Sequence, residues 1–152
     1  MTSLQEAIER VLIGRDNGIV CPCCGQYCKV YKRRLNSAMA VGLIWIVKHY
    51  QEHKRWISIH ESPLIQGRRV GGDFAKLEHW GLIVASGNDD SSKRTSGEWA
   101  PTDAGIDFAY GKTQLPSHAL IYSNTLLGFS DEYITIQQAL GAKFDYAELM
   151  NS

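Results

Sequence analysis

Residues 68–102, RRVGGDFAKLEHWGLIVASGNDDSSKRTSGEWAPT, decide the fold. Val70, Phe74 and Leu77 recur at the i, i+4, i+7 spacing that puts apolar side chains on one face of a helix. Gly81 follows Trp80 and is placed to end that helix in a left-handed turn, which lacks a steric penalty only for glycine. Leu82, Ile83 and Val84 form a strand-like apolar run. The twelve residues 86–97 are small, polar or charged and predict a solvated hairpin tip. Glu98, Trp99 and Ala100 return as a second strand, which Pro101 and Thr102 stop.

The pattern extends outward in both directions. Thr102 is an N-cap with Asp103 favourable in the first turn. That helix runs to Tyr110, with Gly111 as its stop. Upstream, Asn36 and Ser37 cap a helix over residues 38–53. Its first part, AMAVGLIWIV, is apolar on all sides, which predicts a central, buried helix. Trp56 to His60 alternates as a half-buried strand does. Ser62-Pro63 opens a short helix at 64–66, and Gly67 turns the chain into the helix beginning at Arg68.

Helix, strand, tip and strand in this order resemble the second half of a winged helix-turn-helix domain. The run LEHWGLI…GEWAPTDAGIDFAYG is similar to the pattern of MarR-like and related winged-helix proteins. The resemblance covers residues 37–111. It implies an α+β fold and a dimeric regulator whose helix 68–79 enters the major groove of double-stranded DNA. On that helix Arg68, Arg69 and Lys76 are the expected DNA contacts. Arg grips guanine bidentately, and Lys generally meets phosphate. Lys93 and Arg94 at the hairpin tip complete the set by resemblance. Asp73, Glu78, Asp89 and Asp90 in the same stretch weaken a phosphate-facing field.

Two segments flank this core, giving a division into 1–36, 37–111 and 112–152. In the first, Ser3 and Glu6 form a capping box. Leu4, Ala7, Ile8, Val11 and Leu12 make one helical stripe that Gly14 ends. Asn17-Gly18 marks a turn. Cys21-Pro22-Cys23-Cys24-Gly25 is then similar to a zinc-ribbon knuckle, because two residues between thiolates let both sulfurs face one ion. Zinc ribbons use a second knuckle, and this chain has none. Cys28 is near enough to be a third ligand beside Cys21 and Cys24. His49 and His53 share a helix face and offer an alternative, although their spacer is longer than that of a zinc finger. The other reading is a knuckle whose cysteines pack as small apolar residues. Lys29-Val30-Tyr31-Lys32-Arg33-Arg34 follows as a basic extended segment, with Lys32, Arg33 and Arg34 as phosphate contacts or as a solvated strand edge.

In the third segment, residues 118–122 and 125–129 flank Ser123-Asn124 as a β-hairpin. Tyr133 to Ile136 is a further strand or a lead into a helix at 137–140, which Gly141 stops. Asp145 caps a last helix over 146–150. These residues are apolar enough to require packing on the winged helix or against a second copy.

Formal net charge is zero. Residues 29–94 carry 12 Lys/Arg against 6 Asp/Glu, whereas residues 95–152 carry 2 against 7. The basic middle leaves room for a nucleic-acid face. No secretory leader and no apolar stretch of membrane-spanning length is visible, so a soluble, cytoplasmic protein is expected. Phosphate-binding glycine loops and a nucleophile elbow are absent, and the chain is not expected to be an enzyme. A DNA-binding regulator is therefore the leading expectation. The alternative is a phage or prophage accessory protein that uses the same scaffold to bind and inhibit a host protein, such as a defence complex. Neutral total charge and the acidic C-terminal third favour it.

Overall fold

The computed structural model describes residues 3–58, 74–86, 98–123, 125–142 and 144–151. Residues 59–73 and 87–97 lie outside this set, and with them the expected short helix at 64–66, Arg68, Arg69, Lys93 and Arg94.

The Ser3 hydroxyl accepts the Glu6 N–H and starts α1, Leu4–Gly14. Gly18, at φ +99°, turns the chain into a small hairpin, β1 (Ile19–Val20) with β2 (Tyr27–Cys28). The cysteine knuckle is the hairpin's loop. β3, Tyr31–Arg34, follows with every side chain exposed. Asn36 then accepts the Met39 N–H and starts α2, Ser37–His53. Every residue from Met39 to Val47 is buried. Lys54 ends the helix in the left-handed region at φ +54°.

β4, Ile57–Ser58, comes next. The described end of the expected 68–79 helix is tighter than an α-helix: Lys76–Trp80 forms a 3-10 turn, and Gly81 closes it at φ +72°. Phe74 and Leu77 are buried from its inner side, as their spacing requires. β5 (Ile83–Ala85) and β6 (Glu98–Pro101) are antiparallel, and β4 pairs with the other edge of β6. The sheet order is β4-β6-β5. Thr102 caps α3, Asp103–Ala109, by accepting the Gly105 N–H and donating to the Gly81 carbonyl. One side chain thus ties the start of α3 to the end of the 3-10 turn.

The rest of the chain folds back on α2. β7 (Leu115–Pro116) leads into β8 (His118–Tyr122) and β9 (Thr125–Phe129), the expected hairpin. β10 (Tyr133–Ile134) pairs with β7. Thr135 and Gln138 make a full capping box at α4, Ile136–Leu140, and Asp145 caps α5, Tyr146–Asn151. Both helices pack on α2. Lys48 of α2 donates to the Leu149 carbonyl, and the Trp80 indole donates to the Pro116 carbonyl at 2.8 Å.

The pairing of β3 has no signature in local sequence. It adds to β8, giving the sheet order β3-β8-β9. The segment before α2 and the segment after α3 therefore share a sheet. One buried cluster, from Leu35 to Leu140, includes residues of all three sequence segments except α1 and the knuckle.

Gly105 tests the closest approach in this fold. A Cβ there would lie 2.1 Å from the Leu82 carbonyl oxygen, a backbone atom with little freedom to yield. Gly105→Ala is expected to destabilise the protein by about 2–3 kcal/mol through overpacking, read as a lower thermal midpoint. An unchanged midpoint would contradict the packing of α3 against the turn at Leu82.

Candidate nucleic-acid interface and cysteine knuckle

Of the residues expected to touch DNA, the described ones fall on two separate elements. Lys32, Arg33 and Arg34 lie on β3, at the free edge of the β3-β8-β9 sheet. Lys76 lies on the 3-10 turn that packs against β5. Lys76 is half-buried, not an open outward position. His79 is half-buried as well, and Glu78 is exposed.

Alternation sorts the basic strand into two faces. Tyr31 and Arg33 stand on one, opposite Ile121 and Ala119, which are buried. The Lys29 ammonium and the Arg33 guanidinium lie 5.8 and 5.2 Å from the centre of the Tyr31 ring. Lys32 and Arg34 stand on the opposite face, beside Leu120 and His118, which are half-exposed. Among the described residues, no carboxylate forms an ion pair with Lys32, Arg33 or Arg34.

A buried polar ring orients His118. Ser117 is fully buried, its hydroxyl 2.8 Å from His118 Nδ1 and 3.1 Å from Ser130 Oγ, and Ser130 Oγ accepts the His118 N–H. All three groups are satisfied when Ser130 donates to Ser117 and Ser117 donates to Nδ1. His118 Nε2 then carries the ring hydrogen. Sequence reading missed His118, Arg15 and Tyr122 as members of this surface. The absence of any Asp or Glu from β3, β8 and β9 was the available signal, but nothing local pairs β3 with β8.

The knuckle closes by two backbone hydrogen bonds, Cys21 N–H to the Gln26 carbonyl (2.8 Å) and Gly25 N–H to the Cys21 carbonyl (2.9 Å). Gly25 occupies the left-handed region at φ +77°, as the tight turn demands. The N–H groups of Cys24 and then Cys23 aim at the Cys21 sulfur and hold its pKa below the ordinary thiol value. Cys28 makes contacts of its own. Its thiol lies 3.6 Å from the Gln26 carbonyl, and its interaction with the Tyr122 hydroxyl raises that phenol's pKa. Among the described residues, no group of three or more His, Cys, Asp or Glu side chains is arranged to hold a metal. His49 and His53 are engaged in an aromatic ladder, with His49 at 4.2 Å from Trp45 and 5.6 Å from His53 between ring centres. The knuckle and α1 instead enclose a groove of about 280 Å³, walled by Leu4, Ile8, Val11 and Leu12 and floored by Cys21, Cys24, Cys28 and Tyr122. Leu4 and Leu12 remain 69% and 50% exposed.

Compared with protein-family models, with curated proteins and with solved structures, the chain matches none. Among the described residues, no helix is long and apolar enough to cross a membrane.

The Cys21 environment has a direct chemical consequence. The thiolate is the nucleophile, so a lowered pKa shifts alkylation to lower pH. The pH profile of iodoacetamide labelling at Cys21, read by peptide mass spectrometry, is expected to move to lower pH in the folded protein than in urea. Coincident profiles would contradict the hydrogen-bonded thiolate.

Proposed function

We propose that the protein binds double-stranded DNA in the manner of a winged helix and acts as a regulator of transcription. The observation that carries this reading is the sheet order β4-β6-β5. One strand precedes the expected recognition helix, and the next two flank a polar hairpin tip that holds Lys93 and Arg94 in sequence. Such a sheet buttresses a helix on one side and projects a tip on the other. The buried helix α2 and the left-handed stop at Gly81 support the same reading. In it, the segment from Arg68 to Lys76 lies in the major groove, and Lys93 and Arg94 meet the flanking backbone.

Zinc enters as part of the proposal. Cys21 and Cys24 supply a two-thiolate half-site, and Cys28, turned from the Gln26 carbonyl, would be the third ligand. Protection of Cys21 from alkylation by added zinc is the sign of it. A second reading is favoured by the groove between α1 and the knuckle. Its exposed apolar wall suits a protein partner, either a second copy in a homodimer or the host protein of a phage-type accessory factor.

The test of the main reading is a gel-shift titration on duplex DNA at two salt concentrations. Binding is expected to weaken steeply with salt. Arg69→Ala/Lys76→Ala is expected to lose at least about tenfold in affinity. Equal affinity of the variant and the wild type would contradict it.

A further inference from the structure

We propose that the open face of the β3-β8-β9 sheet is a second nucleic-acid site, one that takes single-stranded DNA. It goes beyond the duplex reading and rests on other residues.

Register defines the face. Lys32 pairs with Leu120, and Leu120 with Gly128; Arg34 pairs with His118; Tyr122 pairs with Thr125. Directly opposed residues share a face. The core lies on the other side, because Ala119 and Ile121 are buried while His118, Leu120 and Tyr122 are half-exposed. The open side therefore presents Arg34, His118 and Lys32 towards one edge, and ends at half-buried Tyr122, at the foot of the groove between α1 and the knuckle. The Arg15 guanidinium lies 4.9 Å from the centre of the Tyr122 ring.

Charge complementarity selects a polyanion. The three strands contain no Asp or Glu, and Asp16, Asp131 and Glu132, the nearest in sequence, stand outside them. Lys32 and Arg34 are exposed, with no carboxylate paired to them among the described residues. The satisfied Ser117 ring leaves His118 Nε2–H for a phosphate oxygen. Shape then selects a single strand. Aromatic rings and guanidinium planes stack unpaired bases, which a duplex does not offer. Gly128 sits at the centre of the face with open space where a Cβ would stand, so a base can lie directly on the sheet. Leu120 and Gly128, between the basic edge and Tyr122, present no polar side chain to a sugar, and the strand proposed is DNA.

Gly128 also supplies a clean test. Its backbone lies outside the left-handed region and its surroundings are open, so Gly128→Val fits the strand while obstructing the face. The full chain is titrated by fluorescence anisotropy against a labelled oligothymidylate of about 15 nucleotides, a length within the range one such site covers. Wild type is expected to bind. Gly128→Val is expected to lose at least tenfold in affinity with an unchanged thermal midpoint. Lys32→Ala/Arg34→Ala is expected to lose as much and to lower the log–log salt slope by about 1.4, from about 0.7 per phosphate contact on a single strand. No binding by wild type, or equal binding by both variants, overturns the proposal. Equal affinity for oligouridylate overturns the choice of DNA.

Discussion

A helix that is apolar on every side has to be covered on every side. α2 imposes that constraint on the rest of the chain. Met39 to Val47 are buried without interruption. Each large aliphatic side chain in that run contributes about 1.5–3 kcal/mol when removed from water. The β4-β6-β5 sheet and α3 cover part of the surface, and α4 and α5 cover another part. The C-terminal segment is thus part of the core that makes α2 possible, and β3 is carried into the same body through its pairing with β8.

The same constraint sorts the charges. A chain of zero net charge holds two places where basic groups gather, β3 and the stretch ending at Lys76. β3 lies in the β3-β8-β9 sheet, whereas Lys76 lies on the 3-10 turn beside β5. Of the seven acidic residues of the last third, Asp103, Asp107, Asp145 and Glu148 fall on helices and their caps, Glu98 on β6, and Asp131 and Glu132 between β9 and β10, while the β3-β8-β9 strands hold none. Electrostatic neutrality of the whole molecule is therefore compatible with a locally basic face.

Much of the secondary structure was legible because its signals are local. Ser3, Asn36, Thr102 and Asp145 cap where their side chains predict, and Gly81, Gly111 and Gly141 stop helices at positive φ. The β8–β9 hairpin was legible from two apolar runs about Ser123-Asn124. The mixed α+β class followed from these elements. What escaped was non-local. No feature of Tyr31 to Arg34 says that it will pair with His118 to Ile121, and that pairing alone places Lys32 and Arg34 beside His118. The 3-10 geometry at Lys76–Trp80 was missed too, since its apolar spacing at Phe74 and Leu77 suits an α-helix equally well. The expected ligand set of Cys21, Cys24 and Cys28 rests on spacing alone. In the folded chain the Cys28 thiol is directed at the Gln26 carbonyl and Tyr122.

The central claim is that α2 binds the β4-β6-β5 sheet and the C-terminal segment into one cooperative body. Native-state hydrogen exchange tests it most directly. The account predicts that the slowest amides of α2, β6 and β8 exchange only through global unfolding, with the same free energy and the same dependence on denaturant. Exchange of β8 through a separate, lower-energy opening while α2 and β6 stay protected would contradict it.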